Sequence, residues 1–535
     1  MSLFDSASLV VTPNGYKEDK LYSIKPTDGS GDLVVTRATT ATRVNSDGLI
    51  EQVPYNFAQY SEQFDNVSWA KSDVTISANA IIAPNGSTTA DKIIANTNNA
   101  PHAIYQAIPT GTYSFSIYAK AGEETLFSMW LNDFSKRARF DLSTGTITDS
   151  NVTNATITPV GNGWYRCTVY DTTLTSYIAI YGRTGSSYIG NGVDGFYLWG
   201  AQFTQGSSAK EYFPTTDRLD VPRLDYTNSS CPSILVEPQR TNLYFPSIPN
   251  SSGGGTYTLN DAISPDGTQN ASSFVPSGNG VVYANAIITT VQTYTFSVYL
   301  KGTVNGQKVG LGDNNFILNT FTITTSWQRY TFTFTGSVQT TAFYLLSGNY
   351  FSPAENNKFY IWGAQLEAGS YATSYIPTIA SSVTRNADVI SKTGISSLIG
   401  QTEGTIFLDL QYSNISELDM FLSIRPNSSN KIEIFRDGGV IYAEVAATNS
   451  VSISSSKPIG SYKIAFAYKS GSTALYINGT LISQSTTTFN FTNTLSDLYL
   501  NSRAGTSFIE SANFKTAAIF KTRLTNDELA SLTTI

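Results

Sequence analysis

Histidine occurs once in this chain of 535 residues, cysteine twice and methionine three times. One histidine and two cysteines leave no material for a Ser-His or Cys-His triad, nor for a zinc cluster. Two cysteines cannot build a disulfide scaffold either. Cys167 alternates with Tyr165 and Val169 on what reads as a core-facing edge, so it is expected as a buried thiol and not as a bridge to Cys231. Charge is scarce too, at 14% of residues, with a formal net charge of −7 and no block of Lys or Arg. Nucleic acid is an unlikely partner on that ground, because phosphate binding needs a concentrated basic surface. No apolar run approaches the length of a membrane span. Met1 to Val10 lacks the basic start and apolar middle of a secretory signal, so the chain is expected to be made in a cytoplasm and to stay soluble.

What the chain has instead is rings and small polar residues. Tyr (32) and Phe (29) dominate an aromatic content of 13%, and Ser, Thr, Asn and Gly fill much of the rest. Such a mixture builds half-buried pleated surfaces and tight turns better than helices. The expected fold class is all-β, a tandem of β-sandwich (jelly-roll) domains behind a short N-terminal arm, in a chain long enough for three or four domains.

Two passages nearly repeat each other. Phe196-Tyr197-Leu198-Trp199-Gly200-Ala201-Gln202 leads to Tyr212-Phe213-Pro214-Thr215, and Phe359-Tyr360-Ile361-Trp362-Gly363-Ala364-Gln365 leads to Tyr375-Ile376-Pro377-Thr378. Three further matches precede them in the same order. Pro84-Asn85-Gly86-Ser87 answers to Pro265-Asp266-Gly267-Thr268, Tyr113–Lys120 to Tyr294–Lys301, and Trp164-Tyr165-Arg166 to Trp327-Gln328-Arg329. The separation of Trp164 from Trp199 equals that of Trp327 from Trp362, 35 residues in each. One folded unit has therefore been duplicated. Tyr113 to Trp164 spans 51 residues and Tyr294 to Trp327 only 33, so the first copy carries 18 extra residues, expected as an added hairpin around Trp130 to Thr146.

The domain layout follows. Residues 1–53 are too few and too polar for a core of their own and are expected as an arm, or as a strand lent to a partner. The first copy runs over 54–215, a linker over 216–237 and the second copy over 238–378; an unrelated third sandwich occupies 388–535. In the third unit Thr405 to Tyr412 alternates, Lys431 to Val445 reads as a hairpin turning at Asp437-Gly438-Gly439, and Asn478-Gly479 is a strong two-residue hairpin signal. The one helix expected is Asn526 to Leu532, with Thr525 as its cap.

Strand parity separates two faces in each copy. Tyr113, Phe115, Ile117 and Tyr294, Phe296, Val298 should be core. Ser114, Ser116, Tyr118, Lys120 and Thr295, Ser297, Tyr299, Lys301 lie opposite, as do Arg329, Thr331 and Thr333 on the next strand. A ring set among hydroxyls and charges suits a sugar, which stacks its C–H side on the ring while its hydroxyls are bonded. The candidate carbohydrate-binding residues are thus Tyr118, Lys120, Trp130, Tyr299 and Lys301. The alternative stays open that these polar faces are solvated, or are buried against a neighbouring subunit.

No catalytic residue, metal site or cofactor is expected. His102, beside Pro101 in an Asn-rich loop, reads as a surface or structural residue. Glu433 and Asp437 are four residues apart, about 13 Å along a strand, too far for a glycosidase pair at about 5–9.5 Å. Asp437 is better explained by its turn, and Asp409 stands alone.

The motifs between the sandwiches carry a resemblance. Thr36-Arg37-Ala38-Thr39-Thr40-Ala41-Thr42-Arg43-Val44-Asn45 with Asp47-Gly48-Leu49-Ile50-Glu51 resembles the N-terminal signature of tailed-bacteriophage fibre and tail proteins. So do Val221 to Tyr226, Cys231-Pro232-Ser233 and Glu237-Pro238-Gln239-Arg240-Thr241-Asn242. The two copies are similar to the carbohydrate-binding-module-like jelly rolls of such proteins. The third unit, with Tyr476-Ile477-Asn478-Gly479 and its close from Phe514 to Leu532, is similar to laminin-G or concanavalin-A-like lectin sandwiches. The resemblance implies a virion protein, a head or tail fibre or spike assembled in a host cytoplasm. It would be attached through the N-terminal arm to other virion proteins, with host-surface glycans as possible ligands. A homotrimer is expected, since side-by-side chains cover sheet edges. No site transfers residue by residue, the second copy lacks the extra hairpin, and no calcium-ligand cluster stands out in the third unit. The rival readings are a polysaccharide depolymerase and a bacterial glycan-binding surface protein.

Overall fold

The computed structural model describes residues 3–131, 135–172, 175–227, 229–313, 316–336, 342–412 and 418–534. Nearly every regular element is a strand, and Asn526–Thr533 is the sole α-helix among the described residues. That helix starts as its sequence requires. The Thr525 side chain accepts from the Glu528 N–H while the Glu528 carboxylate accepts from the Thr525 N–H, a capping box worth about 1 kcal/mol. Among the described residues no helix is long and apolar enough to cross a membrane. The fold is all-β, built of stacked antiparallel sheets.

The chain divides into two compact units, a continuous one over 53–219 and a discontinuous one made of 1–52 with 220–535. The continuous unit is a sandwich of two six-stranded sheets. One runs in the order Thr146–Ser150, Lys136–Asp141, Leu126–Leu131, Thr175–Gly182, Ala103–Gly111, Ala70–Ser72. The other runs Asn154–Gly161, Trp164–Tyr170, Tyr113–Lys120, Gly195–Gln205, Ala90–Ala95, Val74–Ile81. Their inner faces meet through Phe115, Ile117, Phe127, Met129, Cys167 and Ile180, all shut off from solvent. Burying each such large side chain contributes about 1.5–3 kcal/mol.

Pairing relocates the extra residues of this copy. The hairpin of Leu126–Leu131 with Lys136–Asp141 has a counterpart in the second copy, Gln307–Asp313 with Phe316–Ile323. The additional strands are Thr146–Ser150 and Asn154–Gly161, one at the edge of each sheet. The expectation of an added hairpin around Trp130 to Thr146 is therefore corrected: Trp130 sits on a shared strand, and the insertion follows it. Residues 132–134 of that stretch lie outside the described residues.

In the discontinuous unit, the second copy forms a sheet that passes through one long strand, Ala271–Ala286. Its first half pairs with Phe359–Ala368 and its second half with Ala342–Gly348. The C-terminal sandwich is completed from the far end of the chain. Leu9–Lys17 pairs with Ala512–Phe520, placing Leu9 opposite Ile519, and Leu33–Thr36 pairs with Val389–Lys392. Lys20–Lys25 joins the two as the middle strand.

Of residues 1–53, expected as an arm or as a strand for a partner, the strands from Leu9 to Thr36 belong instead to this chain's own last domain, while Ala41–Val44 and Ile50–Val53 pair with each other and Ile50 packs on Ala271, Trp362 and Tyr375 of the second copy. The physical reason is burial. Leu9, Val11, Leu21, Leu33 and Val35 are too few for a core, but they fill the core of the C-terminal sandwich.

Both inserted copies leave and re-enter this outer framework at one buried ion cluster. Arg37 precedes the first excursion, Arg223 follows it, Glu237 precedes the second, and Arg385 and Asp388 follow that. Arg37 binds Asp388 at 2.5 Å, and Arg223 binds Glu237 at 2.7 Å and also Asp388; Arg385 binds Glu237 at 2.6 Å. All five residues are at most 3% exposed. Burial acts to raise the Glu237 carboxyl, but Arg385 and Arg223 outweigh it and hold it well below the usual range. Asp388 is likewise lowered, since Arg223, Arg37 and Arg385 overcome its burial. Motifs that look like linkers in the sequence are thus the joint of the framework.

Candidate functional site

The duplicated passage is a closing device. After Gly195–Gln205 the chain turns back, and Lys210 to Thr215 lies across the polar face of the sheet. Gln202 fixes it, its Nε2 donating to the Lys210 carbonyl at 2.8 Å and its Oε1 accepting from Phe213 N at 2.8 Å. Arg166 Nη2 donates to Ser116 Oγ at 3.1 Å and to the Lys210 carbonyl at 2.6 Å. The second copy repeats this, Arg329 reaching Ser297 Oγ at 2.9 Å and the Thr373 carbonyl at 2.6 Å, while Gln365 Oε1 accepts from Ile376 N at 2.6 Å. Asn56 and Asn242 secure the other side of each joint. Their side-chain amides donate to Ala201 and Phe213 in one copy and to Ala364 and Ile376 in the other.

Tyr118 and Tyr299 belong to this joint. Tyr118 packs on Trp199 at 5.2 Å and Tyr212 at 5.9 Å, with the Arg166 guanidinium 5.6 Å from its ring. Tyr299 packs on Trp362 at 5.5 Å with Arg329 at 5.5 Å. The glycine of each Trp-Gly-Ala-Gln has φ near +60° (+64° at Gly200, +62° at Gly363), at a bulge in the pairing with Tyr113–Lys120 or Thr293–Gly302. A Cβ at Gly200 would sit 3.0 Å from the Tyr118 ring.

The face that parity marked as polar is exposed at its edge, at Thr331 and Thr333, and covered at its centre. Ser114, Ser116, Thr295 and Ser297 are at most 1% exposed, and the cover is the chain's own returning segment. Lys120 and Lys301 lie at the margin of that face, both half-buried. Lys120 stands in register between Trp164 and Tyr197, and the Lys301 ammonium is 5.6 Å from the Tyr360 ring.

Trp130 has a different setting. It alternates with the core residues Phe127, Met129 and Leu131, so its indole lies on the outer side of the other sheet, half-buried. Its Nε1 donates to Ser128 Oγ at 2.8 Å, and the ring of Tyr181 is 5.3 Å away. In register across the sheet run Arg137, Trp130, Ala179 and Tyr105. Tyr177, 38% exposed, extends the aromatic surface along the same strand as Tyr181.

Burial, with Tyr105 close by, pushes the Tyr181 phenol up, so it stays a neutral hydrogen-bonding group. Arg137 lies 5.1 Å from the indole, and both Arg137 and Arg139 bind Asp149, at 3.2 and 3.0 Å. Gly185 (φ +77°) brings its loop against the indole edge, where a Cβ would be 2.7 Å from Cζ2. The result is an aromatic sheet face bordered by guanidinium and hydroxyl donors. In the second copy the matching strand Gln307–Asp313 alternates Gly310 and Gly312 with the core residues Val309 and Leu311, so it offers no ring there.

Arg137, Arg139, Tyr105, Tyr177 and Tyr181 were not singled out from the sequence. A signal was present: Tyr177 and Tyr181 alternate with Ile178 and Ile180, and parity would have placed both rings outward. His102, in contrast, is structural. It is buried, with Nδ1 2.5 Å from the Asp73 carbonyl oxygen and Nε2 2.9 Å from that of Tyr188, and it ties down the short pair Asn99–Ala100 with Tyr188–Ile189.

No family model matches the chain, and no curated protein does. Solved structures give weak likenesses. The IT-sialidase CBM40 of Ruminococcus gnavus is 17% identical with a TM-score of 0.24, over 27% of this chain and 92% of that one. The botulinum neurotoxin serotype G binding domain is 17% identical with a TM-score of 0.23, over 27% of this chain and 39% of that one. A mutant NanB sialidase from Streptococcus pneumoniae is 16% identical with a TM-score of 0.23, over 26% of each chain. The chain thus spans well under half of the latter two. The residues described above, and not these likenesses, carry the functional reading.

Proposed function

We propose that this protein binds glycans through the aromatic face around Trp130 and displays that face as a structural appendage of a tailed-bacteriophage particle. The carrying observation is that face: an indole and three tyrosine rings on the outer side of one sheet, with Arg137 beside the indole. Rings of this kind stack on the C–H side of a sugar, and guanidinium and hydroxyl groups take up its hydroxyls. The virion setting is supported by the resemblance of the Arg37, Arg223 and Glu237 motifs to fibre and tail proteins. The framework those motifs lock together suits display. A homotrimer attached to other virion proteins belongs to the same proposal, with no enzymatic role.

One cross-strand carboxylate pair bears on that last point. Glu433 and Glu444 face each other on adjacent strands, and both bind Lys431, at 2.6 and 3.5 Å. Glu433 also accepts from Ser423 and twice from Arg503. Four donors fill the acceptor capacity of a carboxylate, which leaves it no lone pair for a sugar carbon or a leaving-group proton.

A glycan array probed with the wild type, Trp130→Ala, Tyr118→Ala and Tyr299→Ala tests the binding. The expected result is loss of neutral-glycan binding in Trp130→Ala alone. Equal binding of neutral glycans by wild type and Trp130→Ala removes the proposed face. Labelling of purified particles tests the virion setting, and particles devoid of the protein would refute it.

A further inference from the structure

A second site lies on the C-terminal sandwich, on residues the first does not use. Three strand ends deliver cations to one place: Arg425 just after Leu418–Ile424, Lys431 at the start of Lys431–Asp437, and Arg503 just after Leu498–Leu500. At their centre is Glu433, wholly buried. Lys431 and Arg503 bind it at 2.6 and 3.0 Å. The ion pairs here join three cations to two carboxylates, Glu433 and Glu444. Within these pairs the cations outnumber the carboxylates by one, and Asp497, which like Arg425 acts on the Tyr499 phenol, is a further carboxylate in the neighbourhood.

The side chains of Arg425 and Arg503 are partly exposed, at 14% and 27%. The Arg425 guanidinium approaches Glu433 only to 3.6 Å, beyond hydrogen-bond distance, and has no hydrogen-bond partner among the described residues. Arg503 directs Nε and Nη2 at Glu433, and its Nη1 has no partner among the described residues. Its guanidinium also lies 4.8 Å from the ring of Phe508, a ring 37% exposed. Tyr499 is in register with Ser423, which is itself in register with Glu433. Unused donors in fixed forks and an exposed ring together match an oxyanion carried on a sugar.

We propose that this face of the C-terminal sandwich binds the carboxylate or sulfate group of an acidic saccharide, with Arg425 as the principal donor and Arg503 as the second. Glu433 acts as the anchor that holds Arg503 in place. The site is independent of the Trp130 face.

Titration of the full chain with an oligogalacturonide, its methyl-esterified neutral counterpart and inorganic sulfate tests this. The acidic oligosaccharide is expected to bind, the neutral one not, with sulfate competing and added salt weakening the complex. Arg425→Gln should lower affinity about tenfold or more, with an unchanged melting temperature. Arg503→Lys, which keeps a cation on Glu433 but removes the fork, should weaken binding as well. Trp130→Ala should bind the acidic probe as the wild type does, so that failure here and failure of the first site are told apart. No binding of either anionic probe by the wild type overturns the proposal, and so does equal binding by Arg425→Gln.

Discussion

Arg37 donates to Asp388 at 2.5 Å with both side chains shut off from water, although 351 positions separate them in the chain. Arg223 joins Asp388 from a third place, and Glu237 and Arg385 complete the cluster. The chain thus returns twice to one point, and what lies between the returns is a pair of sandwiches related by duplication.

Breaking this cluster from one side should be costly. Asp388→Asn or Arg223→Met leaves charge buried without its partner, a loss of about 3–5 kcal/mol. Urea unfolding of each variant, read in the 220–535 unit, is expected to show that loss. A change under 1 kcal/mol would mean the cluster is better hydrated than its burial indicates.

The same carboxylates set an acid response. Glu237 and Asp388 are held below the ordinary carboxylate range in the folded chain. Their contribution is therefore complete above the unfolded value, about pH 4. It is lost as pH falls from there through the lowered folded values. Melting temperature measured from pH 7 down to 2 should hold level to about pH 4 and then drop. In Glu237→Gln the fold is already weakened at pH 7, and the acid drop should be smaller.

The closing device predicts a glycine requirement. Gly200→Ala and Gly363→Ala each place a Cβ at positive φ, against Tyr118 or Tyr299. Each should cost about 1–3 kcal/mol in denaturant unfolding of its own unit. Gly48→Ala, also at positive φ but with nothing within 4 Å, is the control for backbone strain alone.

Removal of residues 1–36 distinguishes a strand set from an arm. The deletion exposes the edges at Ala512–Phe520 and Val389–Lys392 and takes five buried aliphatic side chains from the core. At about 1.5–3 kcal/mol each, that loss rivals the whole stability of a domain, about 5–15 kcal/mol. The truncated chain should show a C-terminal sandwich open to limited proteolysis. A detachable arm would leave its protection intact.

Local alternation was readable in the residues. Phe115 and Ile117, or Phe296 and Val298, declare their buried side without reference to anything distant. The capping box at Thr525 and the turn at Asn478-Gly479 are local for the same reason. What covers the opposite side was not readable, because Lys210 to Thr215 reaches it by folding back, and parity cannot tell a lid from solvent. Leu9 and Val35 looked too sparse to build with, since their partners Ile519 and Ile390 lie 510 and 355 positions away in sequence. Arg37, Arg223 and Asp388 gave no sign of pairing because they lie in the expected arm, the linker and the start of the third unit, far apart in sequence. Trp130 drew notice as a lone ring, but the tyrosines beside it come from two other strands.

The central claim is that the chain holds polysaccharide without cutting it. The direct measurement is retention of a neutral surface polysaccharide by the purified protein, with the polymer's length distribution recorded before and after. Retention with unchanged length, abolished in Trp130→Ala, is the predicted result; a shortened polymer, or full retention by Trp130→Ala, would contradict it.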